Sequence, residues 1–308
     1  MKTALVIGIS GGFGSHVAQA MLNNGWHIKA LMRDTTKLPK HLGKVDALHG
    51  DAANSDDVRK AAQNADVIVY GVNIPYPRWN KEALPLLENT VKVAEDLQQT
   101  IVFPGNVYIF NPDDGPVFSE KTAANPVVEK GLIRQKMEQR LKEATTKGAK
   151  VLILRAGDFI GAGAPSTWMQ ELIKPRKKSI KLSSAGPRDL NHSWAYLPDV
   201  AQTIAELLQN KEQLPAYSVF HFKGYQISFN EIANAIHTAT GKPVTQTNFP
   251  WWLIRLVAPF FPMLRNLLEM RYLWNREVNL DEEKLCNTLG KPVPHTPLPV
   301  ALEQAGLI

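Results

Sequence analysis

The chain has 308 residues, enough for one large or two ordinary domains of roughly 100–200 residues. With 44% apolar and 21% charged residues it lies near the averages for globular chains, which excludes a disordered, fibrous or disulfide-stapled protein. A formal charge of +6 admits an acidic partner, but the densest basic run, Lys174-Pro175-Arg176-Lys177-Lys178 with Lys181 behind it, is short and carries no interleaved aromatics. It reads as a solvated loop, and no nucleic-acid partner is expected. Cys286 is the only cysteine, so no disulfide or thiolate metal cluster forms within one chain; in the helix-like stretch 281–289 it reads as a small buried filler. The most apolar window, residues 249–264, is shorter than the roughly 20 residues needed to cross a bilayer and contains Arg255 and three prolines, so no membrane span is expected. The opening apolar run lacks a cleavage site and reads as a first strand, not a signal peptide, and a cytoplasmic location is expected.

Along the first half, short β-branched runs alternate with amphipathic stretches. The pattern predicts a strand over Thr3–Ile7, a helix over His16–Asn24, strands over His27–Met32 and Val45–His49, and a helix over Ser55–Asn64. A strand over Val67–Tyr70, a helix over Leu84–Leu97, a strand over Ile101–Phe103, a helix over Leu132–Thr146 and a strand over Val151–Leu154 follow. Strands alternating with helices require crossover connections, so the fold class is α/β with a doubly wound parallel sheet. The second half breaks the rhythm: an irregular stretch over 161–193, a helix over Asp199–Leu208 and a strand over Val219–Phe222. Ser228-Phe229-Asn230-Glu231 then matches a capping box, which predicts a helix over Phe229–Thr240. The proline- and aromatic-rich segment Pro243–Trp274 fits a smaller lobe. Residues 1–155 are expected to form a nucleotide-binding domain that 199–222 rejoin, with 156–198 and 223–308 forming a smaller C-terminal substrate lobe. No internal repeat is visible.

The sharpest motif is Gly8-Ile9-Ser10-Gly11-Gly12-Phe13-Gly14, between the first strand and a helix expected to begin near Ser15. Glycines there permit positive φ and close backbone approach to a pyrophosphate, and the helix N-terminus offers free amides and a positive dipole. The spacing is G-x-x-G-x-x-G, not the G-x-G-x-x-G of ordinary dehydrogenases. Arg33 stands nineteen residues after Gly14, at the tip of the second strand, where an arginine would pair with a 2′-phosphate and an acid with a ribose hydroxyl. NADP(H) is therefore expected over NAD(H), the bland alternative being an arginine that caps the strand or pairs with Asp34.

The glycine spacing resembles the extended or atypical branch of the short-chain dehydrogenase/reductase superfamily, the NAD(P)-dependent epimerase/dehydratase-like proteins with a Rossmann-like sheet. Gly50-Asp51-Ala52, Gly71, Val107-Tyr108, Gln135-Lys136-Met137-Glu138, Arg155-Ala156-Gly157-Asp158-Phe159-Ile160-Gly161 and His192-Ser193-Trp194-Ala195-Tyr196 resemble segments of the same family. The resemblance implies that Gly8, Ser10, Gly11, Gly12, Phe13 and Gly14 hold the phosphates. It implies that Asp51 and Ala52 lie beside the adenine, Asp51 equally serving as a helix cap, and that Gly71 makes room for the cofactor. It further implies that Pro104, Ala156, Gly157 and Phe159 line the nicotinamide end and that Lys136 binds the nicotinamide ribose.

In active members a tyrosine four residues before the lysine supplies a proton, and a serine or threonine after the fifth strand orients the substrate oxygen. Here Leu132 precedes Lys136 by four, and the serine position is Pro104. Proton transfer then falls to Tyr108, Asp158, His192 or Tyr196, each of which also has an ordinary structural reading, alongside Lys136. The expected function is an NADP(H)-binding oxidoreductase or epimerase-like enzyme acting on a small carbonyl, alcohol or sugar-like substrate. The alternative is a non-catalytic NADP(H)-binding redox sensor or regulatory protein. Trp251, Trp252, Phe260, Phe261 and Tyr272 are candidates for a substrate pocket, a core or a subunit interface, and a homodimer is compatible with that. HExxH, G-x-S-x-G and P-loop motifs are absent, histidines fall at no metal-ligand spacing, and no metal is expected.

Overall fold

The structure is a computed structural model that describes residues 1–164 and 167–308. Strands β1 (Thr3–Ile7), β2 (His27–Met32), β3 (Val45–His49) and β4 (Val67–Tyr70) are interleaved with helices α1 (Gly12–Asn23) and α2 (Ser55–Ala62). Helix α3 (Trp79–Leu97), β5 (Thr100–Asn106), the short β6 (Val117–Phe118), α4 (Glu129–Ala144) and β7 (Lys150–Ala156) continue the alternation. The seven-stranded sheet has the order β12-β7-β5-β4-β1-β2-β3, where β12 is Tyr217–His221, and every pairing in it is parallel. The α/β doubly wound class follows from this sheet.

A sheet covered on both faces needs strands that are apolar on both sides, and β1 shows how that is met. Ala4 and Val6 point to one core with Val17 and Met21 of α1 and Val200 and Ile204 of α6 (Leu197–Gln209). Leu5 and Ile7 point to the other, with Val58 of α2, Val91 of α3 and Leu141 of α4. The predicted strands of the first half lie where expected, although β5 and β7 run further than Ile101–Phe103 and Val151–Leu154. The helix starts moved. Helix α1 starts at Gly12, ahead of the expected Ser15 or His16, and takes Gly12 and Gly14 into its first turn despite the low helix propensity of glycine. Helix α3 starts at Trp79, ahead of the expected Leu84, and carries Pro85 inside it.

Beyond β7, β8 (Asp158–Ile160) leads to α5 (Trp168–Leu172), β9 (Ile173–Pro175), β10 (Ile180–Ser184) and β11 (His192–Tyr196). The stretch expected to be irregular over 161–193 thus contains a helix and two strands. Its order comes from non-local pairing: β10 lies between β9 and β14 (Val244–Asn248), and β11 between β8 and β13 (Tyr225–Ile227). The basic run forms the exposed turn joining β9 to β10. Helix α7 (Phe229–Thr240) begins at the expected capping box, with both reciprocal Ser228 and Glu231 bonds present. Helices α8 (Trp251–Val257) and α9 (Pro262–Glu269), β15 (Asn279–Leu280), α10 (Glu283–Leu289) and α11 (Leu298–Gln304) complete the described chain. Cys286, expected to be buried, is only half-buried on α10, because Leu285 takes the inward position.

Candidate functional site

At the β1–α1 turn three glycines are packed into one another. Gly8 has φ +86°, and a Cβ on it would stand 2.3 Å from the Gly71 carbonyl oxygen. A Cβ on Gly14 would stand 2.4 Å from the Gly8 carbonyl oxygen, and one on Gly71 3.0 Å from that of Ile7. Gly71 therefore serves the loop itself, letting it settle against β4. Helix α1 is capped by Gly11, which has no side chain to satisfy the first amides, and the first turn holds no acid. The amides of Gly12, Phe13 and Gly14 lie in the first turn, where no upstream helical carbonyl can accept them, and the positive end of the helix dipole is left uncompensated. This cradle fits a dinucleotide diphosphate. Ser10 is exposed on its rim. Gly12 also admits Ala164, whose Cβ lies 2.6 Å from where a side chain would begin, and Phe13 stacks on Phe159 with ring centroids 6.2 Å apart.

Arg33, exposed at the end of β2, forms neither a hydrogen bond nor an ion pair among the described residues. It does not pair with Asp34, which accepts bonds from the Thr36 amide at 3.1 Å and hydroxyl at 2.6 Å and is held below the usual carboxylate range by them. Asp51 accepts from the Ala53 amide at 3.0 Å. It is not the cap of α2: that is Asn54, which accepts from the Asp56 amide at 2.9 Å. The Ala52 carbonyl accepts from Asn89 at 3.0 Å.

Helix α4 turns a different side to the sheet from the one its sequence suggested. Lys130, Arg134 and Glu138, four residues apart, are buried, whereas Leu132 is 46% exposed and Lys136 is exposed. Two residues correspond to roughly 200° of helix rotation, so Leu132 and Lys136 lie almost opposite that row. Lys136 is therefore not brought to the cluster described next. The sequence signal was present: Met137 and Leu141 share the core side with Arg134 and Glu138, and Lys130-x-x-x-Arg134 repeats the spacing sought two positions later. The Arg134 guanidinium donates to the Pro104 carbonyl, lies 4.4 Å from the Phe103 ring centroid, and is lowered to about 10 by burial. Its Nε has no partner. Glu138 pairs with Arg155 at 2.7 Å. Lys130 pairs with Glu269 and donates to Asn266 at 2.6 Å, which ties α9 to α4.

Beyond the C-terminal ends of β4, β5 and β7 the polar side chains converge, at the edge where ligands of such sheets bind. The Tyr108 and Tyr76 hydroxyls are 2.9 Å apart. Burial pushes the Tyr108 phenol well above its ordinary range and that of Tyr76 up to about 12, and the Asp158 carboxylate is near enough to raise both. Asp158, opening β8, accepts from His192 Nε2 at 2.7 Å, and the His192 ring lies flat on Trp274, with centroids 4.0 Å apart. Gly157 lets this segment close on β11, since a Cβ would meet the Ser193 carbonyl at 2.1 Å. Ala156, the last residue of β7, is buried beside it. Tyr196 is elsewhere: it is 3% exposed and its hydroxyl donates to Gln304 at 2.7 Å. Tyr76, Glu269 and Trp274 were missed as site residues because only tertiary contact gathers them, and Lys130 and Arg134 because the family's spacing was sought two positions later. Of the candidate pocket aromatics, Trp251 is buried and Tyr272 half-buried, while Trp252, Phe260 and Phe261 face away into solvent.

Residues 8–211 match a family model described as NAD(P)H-binding. No curated protein matches the chain. Among solved structures, the chain resembles MoeE5 in complex with UDP-glucose and NAD, at 19% identity, TM-score 0.77, and coverage of 99% of this chain and 98% of that one. It resembles UDP-glucuronic acid 4-epimerase from Bacillus cereus in complex with UDP-glucuronic acid and NAD, at 17% identity, TM-score 0.75, and coverage of 98% and 97%. UDP-N-acetylglucosamine 4-epimerase from the same organism gives 15% identity, TM-score 0.70, and coverage of 100% and 99%. The glycine cradle, the parallel sheet and these likenesses agree: the chain belongs to the NAD(P)H-binding family and has the fold of the extended short-chain dehydrogenases/reductases.

Proposed function

We propose that this chain is an NADP(H)-dependent oxidoreductase or epimerase-like enzyme, acting on a small carbonyl, alcohol or sugar-like substrate bound beyond β4, β5 and β7. The observation that carries the reading is that the glycine cradle and the Tyr76–Tyr108 and Asp158–His192 pairs all lie where strands of one parallel sheet end. In this reading the amides of Gly12 to Gly14 hold the diphosphate, with Ser10 at its rim, and Asp51 and Ala52 flank the adenine. Unpaired Arg33 takes the 2′-phosphate, which favours NADP(H). Pro104, Ala156, Gly157 and Phe159 lie toward the nicotinamide, which when bound gives or takes the hydride.

The chain's own groups divide the remaining work. With Nε2–H donating to Asp158, His192 leaves Nδ1 as the ring nitrogen that can accept a proton, and the carboxylate fixes that tautomer. Tyr108 stays protonated, because burial opposes its anion, and so donates a hydrogen bond that orients a substrate oxygen. Lys136, on the solvent side of α4, has no part in this arrangement. The sensor reading draws on the same helix, whose sheet-facing row offers only Lys130, Arg134 and Glu138, all engaged within the protein. Calorimetric titration with NADPH and NADH, followed by NADPH oxidation against aldehydes, ketones, enones and nucleotide sugars, tests both readings. Turnover that His192→Ala abolishes while NADPH binding persists is expected. Binding with turnover of no panel member, and a partner whose association differs between NADP+ and NADPH, would establish the sensor instead.

A further inference from the structure

Helix α8 turns Trp251 and Ile254 inward, the Trp251 N–H donating to the Ala185 carbonyl at 2.6 Å. Its opposite arc holds Trp252, Leu253 and Leu256, which are 73%, 42% and 66% exposed. The connection into α9 adds Phe260, Phe261 and Met263, at 80%, 56% and 46%. The described residues expose eleven large hydrophobic side chains, and six of them fall in this one stretch. A concentration of this kind on one helical hairpin marks an interaction surface, where scattered singles would not.

We infer that the α8–α9 hairpin docks onto a membrane surface bearing anionic lipid, lying in the interface and not crossing it. Between 249 and 268 there is no Asp or Glu, while Arg255 and Arg265 are exposed among the apolar residues. Aromatic and leucine side chains beside arginines suit the headgroup boundary, and the chain's net charge of +6 adds attraction. A second copy suits the face less well, because a twofold axis would set the same patch against itself and bring like charges together without partners. Among the described residues no helix is long and apolar enough to cross a membrane, in keeping with a shallow seat. The face is mounted firmly: through Glu269 and Asn266, α9 is tied to buried Lys130. A cleft lined by Tyr76, Lys130, Pro262 and Arg265 opens beside it, so docking would set its mouth against the lipid.

Flotation of the full chain with vesicles of phosphatidylcholine, alone or mixed with phosphatidylglycerol, tests this. Binding to the mixed vesicles, a blue shift of tryptophan emission, and at least about tenfold weaker binding to phosphatidylcholine alone are expected. The triple variant Trp252→Ser, Phe260→Ser, Phe261→Ser should lose at least about tenfold of that binding with unchanged circular dichroism, since these side chains project into solvent. Arg255→Glu with Arg265→Glu should remove the preference for phosphatidylglycerol. The inference fails if the protein does not float with the mixed vesicles, binds both kinds equally, or floats unchanged as the triple variant, which would shift binding to the basic β9–β10 turn. It also fails if the wild-type protein is a dimer that the triple variant dissociates and that binds no vesicle.

Discussion

The two parts of the candidate site are built from different materials. At the β1–α1 turn the main chain is presented and side chains are kept out, so that Gly8, Gly14 and Gly71 touch backbone to backbone. Beyond β5 and β7 side chains crowd in, with Tyr108 on Tyr76, Asp158 on His192, and Glu138 on Arg155. A phosphate cradle depends on atoms that every residue carries and can therefore be specified by the absence of Cβ atoms at fixed spacing. A reacting centre depends on particular side chains delivered from distant segments, which makes it open to replacement one group at a time.

The largest effect expected is at the crowded end. Glu138→Ala would leave Arg155, whose side chain is 3% exposed, buried without its partner and near Arg134. Chemical denaturation should show a loss of about 3–5 kcal/mol, and a loss below about 1 kcal/mol would mean that this end tolerates an orphaned charge. At the backbone end, Gly8→Ala meets both the φ of +86° and the Gly71 carbonyl. Left-handed backbone alone costs about 1–2 kcal/mol, and because the loop must also separate from β4, NADPH affinity measured by calorimetry should fall further than thermal stability does. A variant that unfolds earlier yet binds normally would show the two properties to be separable there.

Acid supplies a third comparison. His221 donates from Nδ1 to the Phe118 carbonyl at 3.1 Å, and burial, aided by Arg155, lowers its pKa to about 3. The folded state thus refuses a proton that the unfolded chain accepts below about 6.5. From this group stability is undiminished above that pH and falls by up to about 1.4 kcal/mol per unit between 6.5 and 3. Denaturant midpoints taken across that window should drop, and His221→Gln should flatten the slope. At the solvent edge the fold itself should be untouched: Arg33→Ala should weaken NADPH by about 1.5–3 kcal/mol and NADH far less, and equal weakening would remove Arg33 from the 2′-phosphate.

Much of the scaffold was legible in the sequence because its signals are local. β-branched runs marked β1 to β4, Ser228 and Glu231 marked the start of α7, and glycine spacing marked the cradle. What stayed hidden depends on rotation or on distance. The face of α4 turns on two residues of register, and the family's spacing at Leu132 and Lys136 points outward while Lys130 and Arg134 point in. Trp274 meets His192 across more than eighty residues of chain, a contact that no window of sequence contains. Strands β9 and β10 escaped notice because their pairing with β14 supplies the order that their composition does not.

The late arrival of β12 has a practical corollary. This strand closes the nucleotide-binding sheet against β7, yet everything from Gly157 to Ala216 is synthesised between them. A fragment ending at Ala156 would carry the whole glycine cradle but display the hydrogen-bonding edge of β7 to solvent, an invitation to self-association. On the ribosome, too, the sheet stays one strand short until His221 has emerged, so the cradle and its neighbouring lobe mature as a single piece of chain.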